Sequence, residues 1–539
     1  MRKKILSLLL VSVLLFSVIA PVFADAAVIC RTPIINISGD STTIYNAEQE
    51  VIYPTSLNTD DKDNLISSIA SVMLPFLLDG LILNNWEHYY DAFEKEIGEI
   101  YSRSVLDENG EASDGSGMSV GERNQMARNF SVDMATNGAY TLEDYEYSYD
   151  WRLDPYTTAD DLEAHIDMLL AATGADKVNL VGRCLGGTVV FAYLEKYGTS
   201  KIRSITFDGT VANGCERISE ALSGRFYIDM GALKRWKADE NAYKNMTNDP
   251  LTFLDSFLVE SAELLEATGV GEAVINSFYK NLYRKVYREL ISRLSLVTVG
   301  TWPGYWAAVK SCDYENAKDI VFGMDGSDKR IKYAGLIEKL DNYDRTIRQR
   351  IPEILTETKN AGVAVYVMAK YGSQMMPLYE CYDEIGDMYV TLPCSSFGAT
   401  VSKLTGTLSE DYIAEKQAAG FGRYISPDRQ VDASTCVLPD ETWFFKGIIH
   451  YNWNTEVKTL ILKLLSYDEQ MTVSSFPEYP QFMVYDKESN RIYPMTEKNS
   501  DKATEWQDGK VQKFNIFDRL IVFFKWLLSL LSVIGEKFR

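Results

Sequence analysis

One stretch limits the architecture more than any other: KVNLVGRCLGGTVVFAYLEKYG, Lys177 to Gly198. Its first residues are short, apolar and β-branched, as in a strand covered on both faces. Gly182, Gly186 and Gly187 crowd a turn, and Val189, Val190, Tyr193, Leu194 and Tyr197 then recur at helical spacing until Gly198. Upstream, Leu162, Ile166, Leu169 and Leu170 mark another helix, opened by a Thr158-x-x-Asp161 capping box and stopped at Gly174. Downstream, IRSITFD (Ile202 to Asp208) reads as a strand. Strands alternating with helices at this rhythm require a parallel sheet with right-handed crossovers.

The turn Gly182-Arg183-Cys184-Leu185-Gly186 has the glycine-x-nucleophile-x-glycine form, with cysteine in the place of serine. At a helix N-terminus, free N–H groups and the helix dipole favour a thiolate, and Arg183 adds positive charge. The Leu185 N–H is one donor for an oxyanion. The second is expected from the turn that ends RTPIINISG, at Gly39 or Asp40.

Such a nucleophile needs an acid and then a base later in the chain. His450 is the one histidine beyond the elbow. Asp432, in VDAST, is the favoured acid because a small-residue turn follows it. Asp440, in LPDETW, is the alternative and equally suits a helix cap. A structural thiol and a packing histidine are the plainer readings, and order and context together favour a working site. His165 is expected to pack on the helix before the elbow strand, and His88, in NNWEHYY, within an aromatic cluster.

Residues 209–360 read mostly as helix, and a strand returns at GVAVYVMAKYG, Gly362 to Gly372. That block is a helical cap over the carboxyl edge of the sheet, where open α/β sheets bind ligands. Its VGTWPGYWAAV segment, Val299 to Val309, is expected to line the site. The domains are then a leader (1–26), the first part of the core (27–208), the cap (209–360), the second part of the core (361–466), a polar loop-rich segment (467–513) with a hairpin at FMVYDKESNRIYPM, and a C-terminal helix (514–539).

The leader is basic, then apolar, then small, as in a secretory signal, which places the fold in a secreted or cell-surface setting. The seven cysteines would leave six for three disulfides if Cys184 is free. The terminal helix is amphipathic and too short to span a bilayer; it suits a membrane surface or a dock on the body. A net charge of −22 argues against nucleic-acid binding. No Cys/His run has metal-ligand spacing, and no cofactor is expected.

Tyr149-Asp150-Trp151-Arg152, followed by a helix and the elbow, resembles the lecithin:cholesterol acyltransferase-like branch of the α/β-hydrolases. The resemblance implies an α/β-hydrolase fold, a mostly parallel sheet flanked by helices with a large inserted cap. It also implies acyl transfer or hydrolysis on an ester, a lipid foremost, by a Cys184–His450–Asp432 triad. Two departures stand out. The family's Gly-His-Ser-x-Gly elbow carries Arg183 and Cys184 here. Its Gly-Asp-Gly-Thr acid turn is matched only loosely by Val431-Asp432-Ala433-Ser434. The other class of function is a noncatalytic binding or envelope-associated protein on the same scaffold.

Overall fold

The computed structural model describes residues 29–53, 75, 79–80, 83–227, 229–238 and 272–500. The expected leader and the expected C-terminal helix lie outside the described residues.

The central sheet has eight strands: β1 (Ile34–Ile37), β2 (Tyr145–Tyr147), β3 (Val178–Arg183), β4 (Ile202–Asp208), β5 (Ala364–Tyr371), β6 (Thr442–Lys446), β7 (Phe482–Asp486) and β8 (Arg491–Pro494). They lie in the order β8-β7-β6-β5-β4-β3-β1-β2. Neighbours are parallel except β7 and β8, which form an antiparallel hairpin. The expected hairpin therefore forms, and it extends the main sheet through β6. Every residue of β1, β5 and β6 is buried, as parallel strands covered on both faces must be.

Helices α1 (Pro155–Thr173) and α2 (Gly186–Tyr197) flank the elbow strand and pack on each other. The start of α1 differs from the expected capping box at Thr158. Pro155 holds the first helical position, and the Asp154 side chain accepts the Tyr156 N–H. Proline's fixed φ and missing N–H suit that position, so the helix begins earlier and Thr158 is buried inside it.

Between β4 and β5 the described residues hold helices and no strand, including α3 (Glu216–Leu222), α4 (Met230–Ala238), α5 (Glu272–Leu294), α6 (Ser311–Phe322), α7 (Ala334–Thr346) and α8 (Ile351–Asn360). The last of these packs on α2 and β5 as the crossover into the returning strand. Helix α9 (Thr455–Leu465) follows β6, with the Asn454 side chain capping it through the Glu456 and Val457 N–H groups. Parallel β1, β3, β4, β5 and β6 all end on one edge of the sheet, so the loops behind them emerge together.

Candidate active site

Cys184 follows β3 directly and sits at φ 49°, in the left-handed region. That conformation costs an L residue roughly 1–2 kcal/mol. The turn is held from both sides. The Cys184 N–H donates to the Asp208 carbonyl at 3.3 Å, and its carbonyl accepts the Gly187 and Val211 N–H groups at 3.2 and 3.3 Å. Two glycines let the backbone close around it. A Cβ on Gly186 would stand 2.2 Å from the Ile37 carbonyl oxygen. A Cβ on Gly39 would stand 2.8 Å from Cys184 Cβ and 3.3 Å from its sulfur. The turn after β1 therefore abuts the thiol and the Leu185 N–H, bringing Gly39, Cys184 and Leu185 together.

His450 lies in the loop after β6 and is buried. Its Nδ1 is 2.8 Å from Asp387 Oδ2, and its backbone N–H donates to the Asp387 carbonyl at 2.9 Å. Asp387 is fully buried, and its other carboxylate oxygen accepts the Tyr389 and Val390 N–H groups at 3.1 and 2.9 Å. The Tyr389 ring stacks on the imidazole at 4.9 Å. Gly209, just after β4, faces this pair: a Cβ there would meet His450 Nδ1 at 3.5 Å and Asp387 Oδ2 at 3.6 Å.

The acid at His450 is thus Asp387, in place of the expected Asp432. Asp432 is buried elsewhere, accepting the Tyr412 hydroxyl at 2.8 Å and pairing with Lys416 at 3.1 Å. Burial opposes its ionisation, but hydrogen bonds from Ser434 and Tyr412, with Lys416, hold the carboxyl below its ordinary value. It caps the turn Ala433–Thr435 through the Ser434 N–H, the role its small-residue neighbours suit. Asp440 pairs with Arg423 and Tyr424 on a partly exposed face. One signal pointed to Asp387. Gly386-Asp387-Met388-Tyr389 keeps the Gly-Asp half of the Gly-Asp-Gly-Thr pattern. Met388 takes φ 87°, the conformation natural to that pattern's second glycine.

The thiol is not poised as a thiolate, contrary to the expectation from the helix N-terminus. Burial pushes its pKa well above the ordinary value of 9.0. The charges of Asp40 and Asp387 push the same way, and the Leu185 N–H opposes them. Arg183 does not offset this. Its guanidinium turns to the Trp453 ring, 3.9 Å from the centroid, and its Nε lies 3.9 Å from Asp208. Asp208 is already paired with Lys370 at 3.0 Å. The Asp40 carboxylate accepts the Tyr305 hydroxyl at 3.1 Å.

The Tyr149–Arg152 segment is largely architectural. Arg152 is fully buried and pairs with Asp150 through Nε at 2.9 Å and Nη2 at 2.7 Å, while also donating to the Ser104 carbonyl and the Ser116 hydroxyl. The Trp151 Nε1–H donates to the Thr42 carbonyl at 3.0 Å. Of the Val299–Val309 segment expected to line the site, Tyr305 reaches Asp40 through its hydroxyl. Trp302 and Trp306 are fully buried in the core, with their ring N–H groups bonded to the Ser104 and Gly300 carbonyls. They pack where their shape and N–H both find partners.

His165 packs as expected, buried with Nδ1 2.8 Å from the Asp161 carbonyl. His88 is exposed and pairs with Asp79 at 3.0 Å, while Trp86, Tyr89, Tyr90 and Phe93 form the aromatic cluster without it. All seven cysteines are free thiols. Among the described residues no His, Cys, Asp or Glu cluster is placed to hold a metal ion. No described helix is long and apolar enough to cross a membrane.

The mostly parallel sheet, the left-handed elbow behind β3 and the helical block between β4 and β5 define an α/β-hydrolase fold. A family model described as alpha/beta hydrolase fold matches residues 123–362, which carry the elbow. No curated protein matches the chain. Among solved structures, a chain of "The crystal structure of Tle4-Tli4 complex" is similar at 12% identity, with 63% of this chain and 75% of that chain covered and a TM-score of 0.22.

Proposed function

We propose that the protein transfers or hydrolyses the acyl group of an ester, a lipid ester foremost, through Cys184, His450 and Asp387. The observation that carries this reading is the 2.8 Å His450–Asp387 pair on the same sheet edge as the strained Cys184 elbow.

Because the thiol rests neutral, it needs a base as it attacks. As the sulfur bonds to the ester carbon, the carbonyl π pair moves onto oxygen and His450 Nε2 takes the thiol proton. Asp387 holds Nδ1–H and stabilises the imidazolium. N–H groups of Leu185 and the Gly39–Asp40 turn receive the oxyanion. Collapse breaks the carbon–alkoxide bond, and His450 returns the proton to the departing alcohol, leaving a thioester. Water or a second alcohol then attacks that thioester. His450 takes the attacker's proton, and the acyl product leaves as the thiol is restored. The basic-apolar start and the amphipathic tail support export and a surface location, which fractionation of the source cells would test.

The test uses p-nitrophenyl esters of several chain lengths with wild type, Cys184→Ala and His450→Ala. Release by wild type that is lost in both variants is expected. Equal release by all three would favour the noncatalytic scaffold reading, to which the neutral thiol lends its support.

A further inference from the structure

Three of the four residues from Tyr149 to Arg152 are accounted for by bonds inside the protein; the fourth is not. Tyr149 is 6% exposed, and its hydroxyl has no hydrogen-bond partner in the protein. A buried polar group left in that state calls for a reason, and a role in binding or catalysis is one. Its place suggests which. Tyr149 follows β2, which pairs with β1, and the turn after β1 abuts the thiol through Gly39. Trp151 pins the segment to that turn through Thr42, and the buried Asp150–Arg152 pair fixes its backbone. The ring itself stacks on Tyr147 at 5.8 Å. With Tyr147 opposite Ile37 across the β1–β2 pair, Tyr149 lies beside the turn that carries Gly39 and Asp40.

We propose that the Tyr149 hydroxyl donates a hydrogen bond to the oxyanion formed at Cys184, beside the N–H groups of Leu185 and the Gly39–Asp40 turn. This rests on the acyl-transfer reading above. Burial raises the phenol pKa well above 10.0, and the neighbouring Asp40 carboxylate raises it further, so the group keeps its proton and can only donate to an anion. The Asp40 carboxylate disfavours negative charge nearby, and a fixed neutral donor offsets it. The donor is unengaged until a carbonyl oxygen arrives, so its bond forms with the substrate and strengthens as charge develops.

Tyr149→Phe isolates the hydroxyl, because the ring remains and no bond within the protein is lost. The expected result is a kcat lowered about a hundredfold, with KM within about twofold and Tm unchanged or raised. An alkyl trifluoromethyl ketone gives a second readout. The Cys184 sulfur adds to its carbonyl carbon, the π pair becomes an alkoxide, and His450 takes the thiol proton. Its affinity is expected to fall by a similar factor in Tyr149→Phe. Wild-type kcat in the variant, a change in KM alone, or activity and Tm lost together would each overturn the assignment while leaving Cys184-dependent turnover intact. Turnover that survives Cys184→Ala would overturn the acyl-transfer reading and this proposal with it.

Discussion

His450 and Asp387 meet twice, side chain to side chain at 2.8 Å and backbone N–H to carbonyl at 2.9 Å. The loops after β5 and β6 are thereby locked to each other, and the imidazole is held with Nδ1 toward the carboxylate. Replacing Asp387 by Asn removes the acceptor that selects this tautomer. A kcat drop on the order of 10³–10⁴ is expected, by analogy with other triads. Asp432→Asn should leave kcat near wild type and lower Tm, since it weakens a buried contact with Lys416 and Tyr412. Steady-state kinetics and thermal melts of the two variants separate the roles.

The neutral thiol has a pH signature. With its pKa raised well above 9.0 by burial, Cys184 stays protonated where an ordinary thiol ionises. Iodoacetamide labelling of Cys184 in the folded protein should therefore be slow at pH 7–8 and still rising above pH 9. Unfolding should bring the ordinary profile. Fast labelling at neutral pH, read by mass spectrometry of the Cys184 peptide, would contradict the burial argument.

Gly186 and Gly39 should fail differently. An alanine at Gly186 collides with the Ile37 carbonyl 2.2 Å away, part of the rigid β1 backbone, so loss of folding stability is expected. An alanine at Gly39 meets the Cys184 side chain, with its Cβ 2.8 Å away. The elbow must shift, and activity should fall more than Tm. Soluble yield, Tm and ester hydrolysis of both variants check this.

Glu220 links stability to pH. Burial raises its pKa from 4.5 to about 7, against the pull of Arg225 at 3.9 Å and the Cys381 N–H. A carboxyl raised in the folded state binds its proton more tightly there than in the unfolded chain. Its cost therefore begins above the unfolded value of 4.5 and is complete near pH 7. That cost is about 3 kcal/mol. Glu220→Gln should remove this part of the decline, so the variant gains Tm over wild type at pH 7.5 relative to pH 5. A parallel shift at both values would mean that Glu220 does not titrate in this window.

Much of the fold was legible because it rests on local patterns. The alternation of β3, α1, α2 and β4 follows from apolar periodicity and turn glycines, and the elbow from three glycines spaced around Cys184. Helix α1 starts at Pro155 and not at the Thr158 box because Pro155 and Asp154 outcompete it, a contest between two local signals. The carboxylate that meets His450 is not legible for a different reason. Asp387 and Asp432 both satisfy the order nucleophile, acid, base, and only the packing of the loop after β5 against the loop after β6 chooses between them.

By itself the sequence determined a parallel α/β sheet and a cysteine elbow at its edge, and it left His450 as the one late histidine, since each is written in residues close together or in a residue without competitors. Only the tertiary structure decided the acid, the neutral state of the thiol, the turning of Arg183 to Trp453 and the unpaired Tyr149 hydroxyl. Those depend on desolvation and on contacts between segments far apart in the chain, and neither quantity is carried by any local run of residues.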